Sequence, residues 1–184
     1  MLALAGLVAR QSRADLMTFD TLPDGEQIPN GYGGLNWNNF ESLYGARFPG
    51  TGYERGIISP DVIAFNGAAF PARFTGIGGA TFQLNSAYLT AAWDSSMQVE
   101  VLGTLGGATI FDHIYTVNDS GPTLINFDHA AVDTAIFSSV GGFQFVMDNL
   151  NVSVPEPSQF AFGAVTLLGA LGFGYRHWRK TDKA

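Results

Sequence analysis

The sequence predicts an all-β protein, an antiparallel β-sandwich, followed by one hydrophobic helix at the C-terminus. Short runs of β-branched and aromatic residues are separated by turn residues at intervals of about eight to twelve positions, as in sandwiches and barrels. No stretch before Pro157 keeps an apolar period of about 3.6 residues over several turns, so we expect almost no helix there. The end of the chain, by contrast, contains a long uncharged run.

The expected strands begin with residues 15–20, which end before the turn sequence Pro23-Asp24-Gly25. The clearest pair is 97–103 with 109–117, because the first run alternates apolar and polar residues and Gly106-Gly107 can form the tight turn of a hairpin. The other expected strands, which bring the total to about nine, are 57–65, 72–75, 82–93, 123–127, 135–139 and 143–152.

Residues 1–14 are expected to be a signal peptide. An uncharged apolar run from Met1 to Ala9 is followed by Ser12-Arg13-Ala14, whose small residues suit a signal peptidase that cuts before Asp15. No basic residue precedes the apolar run, so two alternatives stay open. The sequence begins inside a longer signal peptide, or the segment is an unstructured or loosely helical leader.

The region after this leader is strongly acidic. Residues 15–158 contain fifteen Asp and Glu, three Arg and no Lys, which gives a net charge near −12. Such a charge repels nucleic acid and anionic lipid and favours cations. The chain has no Cys and therefore no disulfide, but about 144 residues are enough for one core. We therefore expect one ectodomain, residues 15–153, with no nucleic-acid partner.

The segment 154–180 has three parts in a fixed order. Pro155-Glu156-Pro157 comes first, the uncharged run 158–175 follows, and a basic cluster of Arg176, Arg179 and Lys180 closes it. As a helix with a rise of about 1.5 Å per residue, the run is close in length to the thickness of a bilayer's hydrocarbon core. The basic residues lie on one side only, which predicts that 181–184 form a cytoplasmic tail and that the ectodomain lies outside.

This order of tripeptide, hydrophobic helix and basic end resembles the PEP-CTERM sorting signal of Gram-negative bacteria. The resemblance implies that an exosortase, an integral membrane cysteine transpeptidase, recognises Pro155, Glu156 and Pro157 after transient anchoring in the inner membrane, and cuts near them. It implies a cell-surface or extracellular protein, deposited in a biofilm matrix with exopolysaccharide. The alternative is an ordinary, permanent C-terminal anchor with prolines in its juxtamembrane loop.

One segment is rich in aromatic and amide side chains and suggests a glycan-binding site. Tyr32 and Trp37 could stack on sugar rings, while Asn36 and Asn38 could bond their hydroxyls. Further candidates of the same kinds are Asn39, Phe40, Tyr44 and Tyr53. The alternative, which the sequence favours, is that Trp37 is a core strand residue and the asparagines form turns.

The last expected strand suggests a structural calcium ion. In the expected strand from Phe145 to Val152, Asp148 stands between apolar and polar neighbours. This pattern resembles the closing strand of galactose-binding-like jelly rolls. The resemblance implies a jelly-roll sandwich in which Asp148 and Asp20, on the first strand, hold the ion. Two carboxylates with carbonyls and water can supply the oxygen ligands that calcium takes. Alternatively, these aspartates cap turns or face solvent.

Catalytic motifs are missing from the sequence. There is no Cys, the ectodomain has only His113 and His129, and neither His-Glu-x-x-His nor Gly-x-Ser-x-Gly occurs. No spacing of glutamates singles out a glycosidase pair. We expect that the protein is not an enzyme. Two classes remain, a structural or adhesive surface protein and a glycan-binding module.

Overall fold

The structure is a computed structural model that describes residues 12–127 and 130–155. Within them, twelve β-strands form two sheets in which successive neighbours along each sheet are antiparallel, which confirms the all-β prediction. Helix in this part of the chain is confined to α1 (Gly52–Arg55) and four short 3-10 turns. Residues 1–11 of the predicted signal peptide and residues 156–184, with most of the predicted sorting signal, lie outside the described residues.

Sheet A has seven strands. They are β1 (Ser12–Met17), β2 (Glu26–Gln27), β4 (Phe40–Tyr44), β5 (Val62–Asn66), β7 (Gln83–Ala91), β10 (Thr123–Asn126) and β12 (Phe145–Pro155). The strand order is β10-β7-β12-β5-β4-β2, and β1 also pairs with β12. Because β1 begins at Ser12, the predicted cleavage site before Asp15 lies inside a strand.

Sheet B has five strands. They are β3 (Leu35–Asn38), β6 (Ala72–Gly76), β8 (Met97–Leu105), β9 (Ala108–Val117) and β11 (Thr134–Val140), in the order β3-β6-β11-β8-β9. The predicted hairpin is confirmed, since β8 pairs with β9 from Met97 opposite Val117 to Leu105 opposite Ala108. Gly106 and Gly107 at its tip both have positive φ, as a type I′ turn requires.

One aromatic core joins the two sheets. Phe40 of sheet A lies with its ring centroid 5.9 Å from that of Phe137 and 6.1 Å from that of Phe74, both of sheet B. Phe74 and Phe137 are themselves 5.6 Å apart, and all three side chains are almost fully buried. The inward faces of the two sheets therefore pack against each other as a sandwich.

A second, smaller core lies on the other face of sheet A. Residues 45–60, called here the covering segment, contain α1 and pack Tyr53 against Ile63 and Val146 of sheet A. Gly52 makes this approach possible, because its N–H donates to the carbonyl of Ala92 at 2.9 Å and a Cβ there would lie 1.7 Å from the carbonyl oxygen of Ala91. Sheet A is thus buried on both faces in this region.

Three strands were not among the nine expected, and several expected strands are shorter than predicted, of which 57–65 changes most. The additional strands β2, β3 and β4 lie in a stretch whose glycines and amides resemble loop sequence, and only the core-packing alternative for Trp37 had placed a strand there. The expected strand 57–65 begins only at Val62, because the residues before it belong to the covering segment. No helix in the described part of the chain is long and apolar enough to cross a bilayer.

Candidate functional site

Trp37, the centre of the predicted glycan site, is a core residue. Its side chain is 6% exposed, and its ring centroid lies 5.0 Å from that of Phe74 and 5.4 Å from that of Phe40. The indole Nε1 donates to the carbonyl of Tyr32 at 2.9 Å, so the polar edge is also occupied. The prediction that Trp37 stacks on a sugar is therefore wrong, and the core-packing alternative describes it correctly.

Tyr32 is half-buried beside the same core. Its ring stacks on Phe19 with centroids 6.0 Å apart, and its hydroxyl accepts a hydrogen bond of 3.1 Å from the backbone N–H of Phe19. Burial raises the pKa of Tyr32, and the negative charges of Asp20 and Asp148 act in the same direction. The side chain thus holds the backbone at Phe19, just after β1, and does not form a platform with Trp37.

Asn36 and Asn38 lie on the opposite face of β3 from Trp37, because side chains alternate along a strand. In the register of sheet B, Asn36 stands opposite Thr75 and Asn38 opposite Arg73, on the outer face of the sheet. The four predicted glycan residues are therefore divided between a buried and an outer face, and only the two amides are placed to meet a ligand there.

Asp148 is fully buried, and its position follows from the alternation of β12. Met147 belongs to the core between the sheets, whereas Val146 belongs to the smaller core under the covering segment. Asp148 therefore points towards the covering segment, where Oδ2 accepts hydrogen bonds from the N–H groups of Ile58 at 2.7 Å and Ser59 at 3.0 Å.

The other carboxylate oxygen of Asp148 is also occupied. Oδ1 accepts from the hydroxyl of Ser59 at 3.0 Å and from the N–H of Asn149 at 2.7 Å. Burial raises the pKa of Asp148, and these four hydrogen bonds act against that rise. The carboxylate is thus a clamp that fixes residues 58 and 59 to the last strand.

These contacts bear on the predicted calcium ion. The carboxylate of Asp148 accepts four hydrogen bonds from protein donors, about as many as it has lone-pair positions. Asp20 is half-buried, and its Oδ1 accepts from the N–H of Val62 at 3.2 Å. Among residues 12–127 and 130–155, no three His, Asp or Glu side chains gather as a metal site. The structure gives Asp148 a structural role, and calcium at Asp20 and Asp148 stays a prediction.

An aromatic cluster that sequence reasoning missed lies at the surface beside the covering segment. Phe48 is 40% and Trp93 50% exposed, with ring centroids 5.9 Å apart, and both rings contact the buried Tyr53. The Tyr53 hydroxyl donates to Oε1 of Gln144 at 2.7 Å, and Trp93 Nε1 donates to the same oxygen at 3.4 Å. The sequence signal is that Trp93 ends the expected strand 82–93 and precedes a polar turn, Asp94-Ser95-Ser96.

The buried side chain of Tyr53 should make the folded protein less stable in alkali. Burial raises the pKa of Tyr53 to about 12 from its ordinary 10.0. Between these values the unfolded chain releases the phenolic proton while the folded protein retains it, so the stability from this group is present below pH 10 and lost as the pH rises towards 12. The melting temperature should fall over this range, and less steeply in Tyr53→Phe. Tyr44→Phe, at an exposed tyrosine, is the control, and an equally steep fall in Tyr53→Phe would contradict the prediction.

Comparison with known proteins supports the fold. No family model matches the chain, and a search of curated proteins found no match. Among solved structures, a DUF4465 family protein from Bacteroides caccae is similar, with a TM-score of 0.51 and 11% identity over 78% of this chain and 100% of that one. A mutant of a family 29 carbohydrate-binding module has a TM-score of 0.40 and 12% identity over 78% of this chain and 93% of that one. At this identity, the likeness to the first protein extends to the fold alone.

Proposed function

We propose that this chain is an exported cell-surface or extracellular-matrix protein, sorted and processed by an exosortase through its C-terminal signal. The support from the sequence is the order of Pro155-Glu156-Pro157, the uncharged run 158–175 and the basic cluster that follows. The ectodomain has a structural or adhesive role in this proposal, in keeping with the lack of a catalytic motif in the sequence and with an acidic composition that keeps it soluble.

The observation that carries the proposal is the position of the tripeptide relative to the folded domain. The compact unit extends from Ser12 to Val154, and the last strand, β12, ends at Pro155, the first residue of the tripeptide. A cut shortly after Pro157 would therefore leave both sheets and the Asp148 clamp complete. This is the arrangement that release of an intact ectodomain requires.

Processing can be tested in a Gram-negative host that has an exosortase. Mass spectrometry of surface material should recover peptides of the ectodomain but none from 176–184, because the enzyme removes the tail. The same host without its exosortase should retain the tail in the membrane fraction. Recovery of tail peptides from the exported protein in the normal host would instead indicate a permanent anchor.

A matched pair of variants tests whether the processing enzyme recognises the tripeptide. Glu156→Ala should leave the protein unprocessed and in the membrane fraction. Glu54→Ala, a change at an exposed glutamate of α1, should be processed like the parent. Equal processing of the two variants would show that the tripeptide is not the recognised sequence.

A further inference from the structure

A polar pocket lies at one end of the sandwich, away from the residues that the sequence singled out. Its volume is about 330 Å³, and its lining includes Asp94, Ser96, Gln98, Thr116, Val140 and Phe143. This volume is at the lower end of the range of roughly 300–1,000 Å³ that is usual for small-molecule sites.

Three neighbouring strands build the floor of the pocket. Gln98 of β8 stands opposite both Thr116 of β9 and Val140 of β11, and all three side chains are exposed on the outer face of sheet B. The walls come from the turn that precedes β8, with Asp94 and Ser96, and from the turn that precedes β12, with Phe143. Because the floor belongs to paired strands, its side chains are held at fixed spacing.

Asp94 contributes an acidic side chain to the wall of the pocket. An ionised carboxylate accepts hydrogen bonds and donates none, so it favours a ligand that offers donors. A hydroxyl group of a ligand would meet this need.

Phe143 adds an apolar surface to the same pocket. Its side chain is 47% exposed, yet its carbonyl accepts hydrogen bonds from Asn66 Nδ2 and from the hydroxyl of Ser139, which hold the backbone in place. The exposed ring can stack on the apolar face of a flat ligand.

We propose that this pocket binds a neutral saccharide unit, with hydroxyls donating to Asp94 and bonding Gln98 and Thr116, and with one sugar face on Phe143. A saccharide combines hydroxyl donors with an apolar face, which is what the lining offers. An anionic sugar is disfavoured, since residues 15–158 carry a net charge near −12. The inference does not depend on how the tail is processed.

The test uses the full-length chain in a zwitterionic detergent, because sugar-based detergents would compete for the site. Isothermal titration with short gluco-, manno-, galacto- and xylo-oligosaccharides should show saturable binding of at least one of them. Asp94→Ala and Phe143→Ala should each weaken that binding at least about tenfold. Phe70→Ala removes another exposed ring, 66% exposed, and should leave the affinity unchanged.

A further variant keeps the result interpretable if Asp94→Ala or Phe143→Ala does not fold. Gln98→Ala changes an exposed side chain on the outer face of sheet B, so it should melt like the parent and still bind the oligosaccharide more weakly. Absence of saturable binding across the four series would overturn the proposal, as would binding that is equally strong in all the pocket variants. Tighter binding of oligogalacturonate than of any neutral probe would overturn the assignment to neutral sugars.

Discussion

Replacing Asp148 with Asn is expected to lower the free energy of unfolding by about 3 kcal/mol, because the variant cannot accept all four hydrogen bonds. An amide has one acceptor oxygen, and its NH₂ group would face donors, either the N–H groups of Ile58 and Ser59 or the hydroxyl of Ser59 and the N–H of Asn149. For a domain of this size the melting temperature should fall by roughly 10 °C, which thermal unfolding followed by circular dichroism would measure.

Asp61→Asn is the matched control for this change. Asp61 is exposed, lies just after the covering segment and has a φ of 78°, a conformation that Asn also tolerates. Its replacement should leave the melting temperature close to that of the parent. Equal melting temperatures for Asp148→Asn and Asp61→Asn would mean that the clamp does not stabilise the fold.

The same proteins test the predicted calcium site. If Asp148 is held by protein donors alone, millimolar calcium at constant ionic strength should not raise the melting temperature of the parent. A calcium-dependent rise that disappears in Asp148→Asn and in Asp20→Asn would establish the ion instead. Constant ionic strength is needed because general screening also relieves repulsion in a domain with a net charge near −12.

Replacing Phe74 with Ala is expected to cost about 4 kcal/mol, the largest effect of a single core substitution that we predict. The Phe74 side chain is fully buried, and its ring lies within 6.1 Å, centroid to centroid, of four others. Those rings belong to Trp37, Phe40, Phe82 and Phe137. The truncation would leave a cavity where the two sheets meet, and chemical denaturation would measure the loss of stability.

Phe70→Ala supplies the comparison for the core variant, since it makes the same change where the ring is 66% exposed. Its free energy of unfolding should stay within about 0.5 kcal/mol of the parent value. A loss below about 1 kcal/mol in Phe74→Ala would show that the two sheets do not share the aromatic core.

Local sequence was sufficient to predict the hairpin of β8 and β9. Its determinants are the alternation along 97–103 and the Gly106-Gly107 turn, and both act between residues that are near neighbours in the chain. By contrast, β3 has two asparagines among its four residues and follows the glycine-rich turn 31–34, and it is a strand because β6, far along the chain, pairs with it. Strand pairing over such separations overrides local preference.

The features of the candidate sites also divide into those that depend on local sequence and those that depend on contacts between distant segments. The sequence alone determined the all-β class, the acidic and cysteine-free composition and the order of tripeptide, uncharged run and basic cluster at the C-terminus, because these depend on residue type and on neighbouring positions. Only the tertiary structure decided that Trp37 is buried, that Asp148 binds the backbone of residues 58 and 59, and that Asp94 and Phe143 wall one pocket. Burial and hydrogen-bond partners are set by segments far apart in the chain, and the two sheets must pack before those segments meet.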